Sequence, residues 1–105
     1  KPFGLSRISV PSPVDYNLSD AYPNPFNPST VLSFSVPVET NLTLSIYDMS
    51  GRLVRTLADG VMDIGYHNFI WDGMDGNGQA VSSGMYIYSL QGENISITKK
   101  MVMMK

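Results

Sequence analysis

One histidine and a set of hydroxyl and carboxyl side chains are the residues that could do catalytic chemistry. The 105-residue chain has one His and no Cys, so nucleophilic catalysis would depend on a serine activated by His67. The serines before Gly84 lack the G-x-S-x-G spacing of a nucleophile elbow. Paired carboxylates for glycoside hydrolysis would need a cleft, which a chain of this length rarely provides. We therefore expect no enzyme, and we expect His67 to be a hydrogen-bonded strand residue.

A glycine-rich loop carries the side chains best suited to hold a metal ion. Asp72, Asp75 and Asn77 supply the hard oxygen ligands that calcium prefers. The spacing departs from the EF-hand pattern, because the first ligand position falls on Gly73. Asp and Asn are also common in metal-free turns, where they hydrogen-bond to their own backbone. A calcium site and a solvated turn both remain open, and we expect no other cofactor.

Composition excludes several classes of protein. A net charge of −2 lacks the basic surface that nucleic-acid binding requires. No apolar run approaches the ~18 residues of a membrane span, and the absence of Cys excludes disulfides and thiolate metal sites. The first residues show neither an initiator Met nor a signal-peptide pattern, which is typical of a fragment of a longer chain.

The elements that position these residues are predicted to be strands. Apolar and polar residues alternate with a period of two in the segment around Phe34, in the segment around Leu44 and again after Asn94. Ser50-Gly51, Asp59-Gly60 and Ile64-Gly65 are turn signals between strands. About seven short strands without a helix predict an all-β sandwich. Residues 1–15 are rich in Pro and Ser and predict a linker to an upstream domain, leaving 16–105 as the folded domain.

The end of the chain combines lysine with methionine. Lys99 and Lys100 follow a long stretch that carries only acidic charges. They favour one of two interpretations: a basic strand that a partner with an acidic groove binds, or an edge strand that lysine protects from aggregation. A terminal strand with unpaired edge groups is also suited to recognition by addition of a partner strand.

An ordered series of motifs extends over residues 18–105. It comprises Tyr22-Pro23-Asn24-Pro25-Phe26-Asn27-Pro28-Ser29-Thr30, Ile46-Tyr47-Asp48-Met49-Ser50-Gly51-Arg52-Leu53-Val54, Gly65-Tyr66-His67 leading to Trp71-Asp72-Gly73, Ser83-Gly84-Met85-Tyr86 and Lys100-Met101-Val102-Met103-Met104-Lys105. The series resembles the type A C-terminal sorting domain of the type IX (Por) secretion system of Bacteroidetes and their relatives. Its middle part is similar to the immunoglobulin-like domain of flagellar hook-capping proteins.

The resemblance implies an immunoglobulin-like or fibronectin III-like β-sandwich of about seven antiparallel strands. It implies a C-terminal signal that takes a cargo protein through the periplasm to the cell surface or medium. The implied partners are the outer-membrane type IX translocon, a sortase-like peptidase that cuts near residues 1–20, and the upstream cargo domain. The residues that the resemblance assigns to recognition are Pro23, Asn24, Pro25, Gly84, Lys100, Met101, Val102 and Lys105.

Two other functions compete with sorting. The first is a structural or accessory module of a multidomain secreted enzyme, acting as a spacer or binding glycans weakly. An exposed row of Tyr16, Tyr47, Tyr66 and Tyr86 would favour glycan binding, although we expect some of these tyrosines in the core. The second is a hook-capping domain, for which we expect further chain beyond Lys105.

Overall fold

This computed structural model describes residues 13–104. These residues include seven antiparallel strands arranged in two facing sheets. The strands in chain order are β1 (Asn17–Leu18), β2 (Thr30–Val36), β3 (Thr40–Tyr47), β4 (Leu53–Met62), β5 (Gly65–Trp71), β6 (Gly84–Gly92) and β7 (Ser96–Met103). One sheet has the order β1-β2-β5 and the other β4-β3-β6-β7. No helix occurs among these residues. The predicted immunoglobulin-like β-sandwich is confirmed, whereas most of the predicted linker lies outside the described residues.

The core lies between the sheets and follows the period-two pattern. Alternate residues of each strand point to the same face of a sheet, so every second residue of β2, and of β3 from Leu42 onward, is buried. The fully buried large side chains are Trp71, Tyr88, Phe26, Leu18, Leu32, Leu42, Leu44, Ile46, Leu90, Met101, Met103 and Val36. Burying one such side chain contributes about 1.5–3 kcal/mol, so this apolar layer is the main source of stability.

Strand β4 is longer than the sequence indicates. Asp59-Gly60 was predicted to be a turn, but the strand continues through it to Met62. Asp59 pairs with Thr43 of β3, and its Oδ1 accepts a hydrogen bond of 3.1 Å from the Thr43 hydroxyl. Gly60 has a φ of 145°, which glycine adopts inside a strand without steric cost. The chain therefore reverses after Met62.

Strand β6 lies between β3 and β7, in the middle of its sheet. The sequence predicted a strand covered on both faces, since Met85 to Leu90 is apolar on both. Tyr86, Tyr88 and Leu90 are buried, but Met85 is 41% exposed on the opposite face. The outer face of the four-stranded sheet therefore carries apolar side chains that the described residues cover only in part.

Two contacts close the side of the sandwich where β1 faces β7. The Tyr88 hydroxyl donates to the Ser19 carbonyl oxygen at 2.8 Å. Lys99 Nζ lies 2.9 Å from Asp20 Oδ1 and forms a salt bridge with it. These contacts connect the last two strands to the segment that follows β1.

Candidate functional site

The proline-rich segment of residues 22–28, here called the proline clip, lies along the outer edge of β7. The Phe26 N–H donates to the Val102 carbonyl oxygen at 2.9 Å, and the Met104 N–H donates to the Phe26 carbonyl oxygen at 2.9 Å. The Val102 N–H donates to Asn24 Oδ1, also at 2.9 Å. Phe26 therefore forms a parallel bridge with Met103. The clip adds one short extended segment to the end of β7.

The sequence of the clip explains its irregular shape. Proline has no N–H and a fixed φ, so a segment with Pro23, Pro25 and Pro28 cannot form a regular strand. The peptide bonds before these three prolines are cis. The Thr30 hydroxyl donates to the Pro23 carbonyl oxygen at 2.7 Å. Tyr22 exchanges two backbone hydrogen bonds with Val31, of 3.0 and 3.1 Å, which anchor the start of the clip to β2.

Aromatic packing holds the clip from the core side. The Phe26 ring is 2% exposed, and its centroid lies 5.5 Å from that of Trp71. Trp71 makes an edge contact with Tyr86, with centroids 5.3 Å apart and planes at 72°. The Trp71 indole N–H donates to the Met74 carbonyl oxygen at 2.9 Å. Side chains from the clip, β5 and β6 therefore meet at one end of the sandwich.

Gly73 is required where the loop after β5 passes the clip. Its φ is +79°, and an added Cβ would lie 2.9 Å from Met103 Cε and 3.0 Å from the Pro28 carbonyl oxygen. Contacts this short force a shift of the backbone or of the Met103 side chain. The Trp71-Asp72-Gly73 motif therefore lets the loop, the clip and the end of β7 pack together.

The structure brings most of the sequence-predicted recognition residues to this end of the molecule. Pro23, Asn24 and Pro25 belong to the clip, and Asn24 bonds Val102 directly. The remaining described members lie on the last two strands: Gly84 opposite Met103, with Lys100, Met101 and Val102 on β7. Lys105 lies outside the described residues.

These residues differ in whether a partner can touch them. Met101 is fully buried, so its side chain is not accessible to a partner in the folded domain. Lys100 is exposed and Val102 is half-buried. Sequence reasoning did not single out Phe26 and Gly73 as site residues. Both lie inside motifs that the sequence displays, but the motifs do not reveal what each residue touches.

The candidate calcium loop uses its oxygens as turn acceptors. Asp72 Oδ1 accepts from the Met74 N–H at 3.1 Å and from Arg55 Nη1 at 3.2 Å. Asp75 Oδ1 accepts from the N–H groups of Asn77 and Gln79, at 2.9 and 3.0 Å. Within residues 13–104, no group of three or more His, Asp or Glu side chains could hold a metal ion. Calcium binding at this loop stays a prediction.

His67 is a hydrogen-bonded strand residue, as the sequence indicated. Its Nε2 lies 2.8 Å from the Asp63 carbonyl oxygen, and a carbonyl only accepts, so Nε2 carries the proton. The imidazole stacks on Phe34 with centroids 5.2 Å apart. The ring therefore serves the packing of β5 against β2.

Among residues 13–104, three side chains have displaced pKa values. The Ser50 hydroxyl and the backbone N–H groups of Arg52 and Ser50 lower the pKa of Asp48 to about 2, since they bond its carboxylate. Burial raises the pKa of Tyr88 to about 12, and burial followed by the Asp48 charge raises the pKa of Tyr86. Asp48 fixes the turn between β3 and β4, and both tyrosines hydrogen-bond to carbonyl oxygens. All three have structural roles.

The fold and its clipped edge define an immunoglobulin-like β-sandwich module. A family model described as the FlgD Ig-like domain matches residues 29–96. The chain belongs to this family. In the described part of the chain, no helix is long and apolar enough to cross a membrane.

Curated relatives match part of the chain. The basal-body rod modification protein FlgD of Salmonella typhimurium is 40% identical over 53 residues, which is 50% of this chain and 23% of that protein. FlgD of Escherichia coli K12 is 30% identical over 69 residues, or 63% of this chain and 30% of that protein. The chain therefore spans less than a third of the length of these relatives.

Solved structures share the fold. PorU of Porphyromonas gingivalis superposes with a TM-score of 0.64 and 23% identity, over 91% of this chain and 10% of PorU. PorZ, a surface component of the type IX secretion system of the same organism, gives 0.59 and 19%, over 84% of this chain and 11% of PorZ. FlgD of Pseudomonas aeruginosa gives 0.55 and 26%, over 70% of this chain and 57% of that chain. At these low identities the PorU and PorZ similarities show the fold alone.

Proposed function

We propose that this immunoglobulin-like module is a non-catalytic sorting signal that directs a cargo protein through the outer membrane by type IX secretion. The convergence of the proline clip with the end of β7 carries the proposal. Three separate motifs, around Asn24, Gly84 and Val102, meet at one end of the sandwich. A translocon that reads a folded domain needs such a fixed feature, because residues far apart in sequence must then be presented together.

The extent of the similarities supports sorting. The FlgD family match ends at residue 96 and begins at residue 29, so the clip and the end of β7 lie outside it. The similarity to PorU covers 91% of this chain, a larger part than the family match. PorZ, which shares the fold, is named as a component of the type IX system. The features beyond the common sandwich are therefore the ones to which we assign recognition.

The proposed route fits a small autonomous module. The cargo domain precedes the module, passes through the periplasm and ends at the cell surface or in the medium. A sortase-like peptidase then cuts within or near residues 1–20, in a Pro- and Ser-rich stretch of the kind that proteases reach. The sorting module itself supplies no reactive group to this step.

A structural module is the second candidate function. Membership of the FlgD Ig-like family and the 40% identity to a FlgD protein favour it. In this role the sandwich is a spacer or assembly domain. A continuous glycan-binding row is not formed, since Tyr86 is 6% exposed while Tyr66 is 60% exposed.

Export of a reporter tests the sorting proposal. Residues 1–105 are fused to a fluorescent protein with a Sec signal, in a host that has type IX secretion, and fluorescence is measured in the periplasm, on the surface and in the medium. We expect export of the parent fusion and reduced export of Asn24→Ala, which loses the bond to Val102. Asn27→Ala is the matched control, since Asn27 is an exposed residue of the same clip. Periplasmic retention of a folded parent fusion would favour the structural module.

A further inference from the structure

The outer edge of β7 has unpaired backbone groups next to the proline clip. Both the N–H and the carbonyl of Val102 bond to the clip, so they point away from β6. Backbone groups alternate in direction along an antiparallel strand, so those of Thr98 and Lys100 also point outward. Neither residue has a backbone hydrogen bond on this side within residues 13–104. The edge is therefore open from Ser96 to Lys100.

This edge is more regular than the opposite edge of the same sheet. All eight residues of β7 pair with β6 in an uninterrupted register. Strand β4 has two register shifts against β3, and the Gly76 N–H donates to the Val54 carbonyl oxygen on its outer side. Bulges and covering loops prevent pairing with another chain. Before Val102 the β7 edge has no bulge and, within residues 13–104, no backbone hydrogen bond to a covering loop; the segment after β1 reaches β7 through the Lys99–Asp20 salt bridge.

The clip demonstrates that the edge accepts an added segment. Phe26 already makes a parallel bridge to Met103. The added segment stops there because the side chain of Asn24, and not a backbone carbonyl, accepts from the Val102 N–H. Strand β5 is equally regular, but no segment of the described chain joins its outer edge. The open part of β7 therefore ends where the clip begins at Val102, and no described segment pairs with its outer edge at the Ser96 end.

The two lysines beside the open edge differ in whether their charge is neutralised. Lys99 is neutralised by Asp20 at 2.9 Å. Lys100 points to the other face, is exposed and has no salt bridge within the described residues. Residues directly opposite on paired strands lie on the same face, where opposite charges attract.

We propose that the β7 edge from Ser96 to Lys100 binds an extended segment of a partner protein by strand addition, with an Asp or Glu of that segment facing Lys100. The inference deepens the proposed function, because it names the partner contact of the sorting site. The competing role for Lys100 is protection against self-association, as lysine on edge strands often provides. The two roles predict different results with an acidic strand. The strand binds the edge if Lys100 recognises a partner, and it does not bind if Lys100 only prevents strand pairing.

Amide hydrogen exchange with defined peptides tests the contact directly. The probes are two short synthetic peptides of alternating Thr and Val, one with Asp and one with Lys at a central position. We expect the Asp peptide to slow exchange at the Thr98 and Lys100 amides, with an affinity about two- to fivefold higher than the Lys peptide. Lys100→Glu should reverse this preference. Binding of neither peptide, or an unchanged preference in Lys100→Glu, would overturn the proposal.

A proline substitution isolates the backbone. Thr98→Pro removes an outward N–H, and edge strands tolerate proline there, while Thr98→Val keeps that N–H as the matched control. We expect Thr98→Pro to keep a cooperative melting transition, which shows that it folds. We expect it to lose the slowing of amide exchange by the peptide and the export of the reporter. Normal export of Thr98→Pro would overturn the edge contact and leave sorting intact. Periplasmic retention of the parent fusion would instead overturn the sorting proposal. The peptide measurement would still test whether the β7 edge binds an added strand. If Thr98→Pro unfolds, the peptide preference of Lys100→Glu tests the edge contact in its place.

Discussion

Asn24 takes the place that a backbone carbonyl would have in a continued strand. Its Oδ1 accepts from the Val102 N–H at 2.9 Å, between two prolines that have no N–H to offer. Asn side chains imitate the backbone in turns for the same reason, since their carbonyl reaches about as far as that of a neighbouring residue. The short clip thereby ends strand pairing at a defined residue of β7.

Loss of this side chain should have a small, measurable effect on stability. Asn24→Ala removes one exposed hydrogen bond, so we expect the free energy of unfolding to fall by about 0.5–1.5 kcal/mol. Asn27→Ala, in the same clip but without a side-chain hydrogen bond within the described residues, should change it by less than about 0.5 kcal/mol. Urea unfolding of both variants measures the difference, and equal stabilities would show that the Asn24 bond does not hold the clip.

Tyr88 makes stability sensitive to alkaline pH. Burial raises its pKa from 10.0 to about 12 in the folded state. Its contribution is therefore complete below pH 10 and is lost as the pH rises towards 12, because the unfolded chain releases the proton first. We expect Tyr88→Phe to flatten the fall in unfolding free energy over this range.

An exposed tyrosine provides the control for that measurement. Tyr22 is 80% exposed, so Tyr22→Phe should leave the alkaline slope as in the parent. Urea unfolding at several pH values, with ultraviolet absorbance to follow tyrosine ionisation, gives the comparison. A slope unchanged in Tyr88→Phe would mean that other groups cause the alkaline loss.

At the scale of elements, the loop from Asp72 to Gly78 is the first part of the connection from β5 to β6 and supports the clip. Arg55 of β4 forms a salt bridge with Asp72, and the Asp75 carboxylate accepts a hydrogen bond from the Gln79 N–H. The Gly76 N–H fastens the loop to β4. The loop is thus positioned by two neighbouring residues of β4, Val54 and Arg55.

Two glycines of this loop allow conformation and packing to be separated. Gly73 and Gly78 have φ values of +79° and +80°, but only at Gly73 would a Cβ meet neighbouring atoms, those of Met103 and Pro28. Gly78→Ala should cost about 1–2 kcal/mol for the left-handed backbone alone. Gly73→Ala should cost about 1–3 kcal/mol more because of overpacking. Denaturant unfolding measures both, and equal losses would show that Met103 moves aside without cost.

How much of the fold the sequence could predict depends on the range of the contacts. The alternation in β2 and β3 is local, and it correctly placed Leu32 and Leu44 in the core. Asp59-Gly60 has the composition of a turn, yet pairing with β3 overrides it. The contact between Asn24 and Val102 joins residues 78 positions apart, and nothing in either segment alone encodes it. The sequence therefore shows the motifs, but it does not show that they contact one another in the fold.

At the scale of the whole molecule, stability and recognition share the same strand. The side of β7 that faces the core carries Met101 and Met103, which are 0% and 1% exposed. Its other side and its edge carry Lys100 and the open backbone groups. A partner that binds the edge of β7 therefore binds only the folded molecule, since the unfolded chain has no such edge.

Removal of the chain end should consequently unfold the module. Deleting residues 99–105 removes both buried methionines, and each large-to-small loss of this kind costs about 2–5 kcal/mol. The sum is comparable to the whole stability of a domain, about 5–15 kcal/mol. We expect the truncated chain to lose its cooperative melting transition, so its failure to be exported would report unfolding as well as loss of recognition.

Two methionine substitutions distinguish these causes. Met101→Ala should lower the melting temperature strongly, whereas Met104→Ala, at a side chain that is 56% exposed, should leave it nearly unchanged. If export depends on a folded β7 edge, Met101→Ala should be exported at a temperature where it remains folded and retained where it has melted. Export of Met101→Ala above its melting temperature would show that the signal is read as an unfolded peptide, and recognition would then have to be assigned to the linear motif at the chain end.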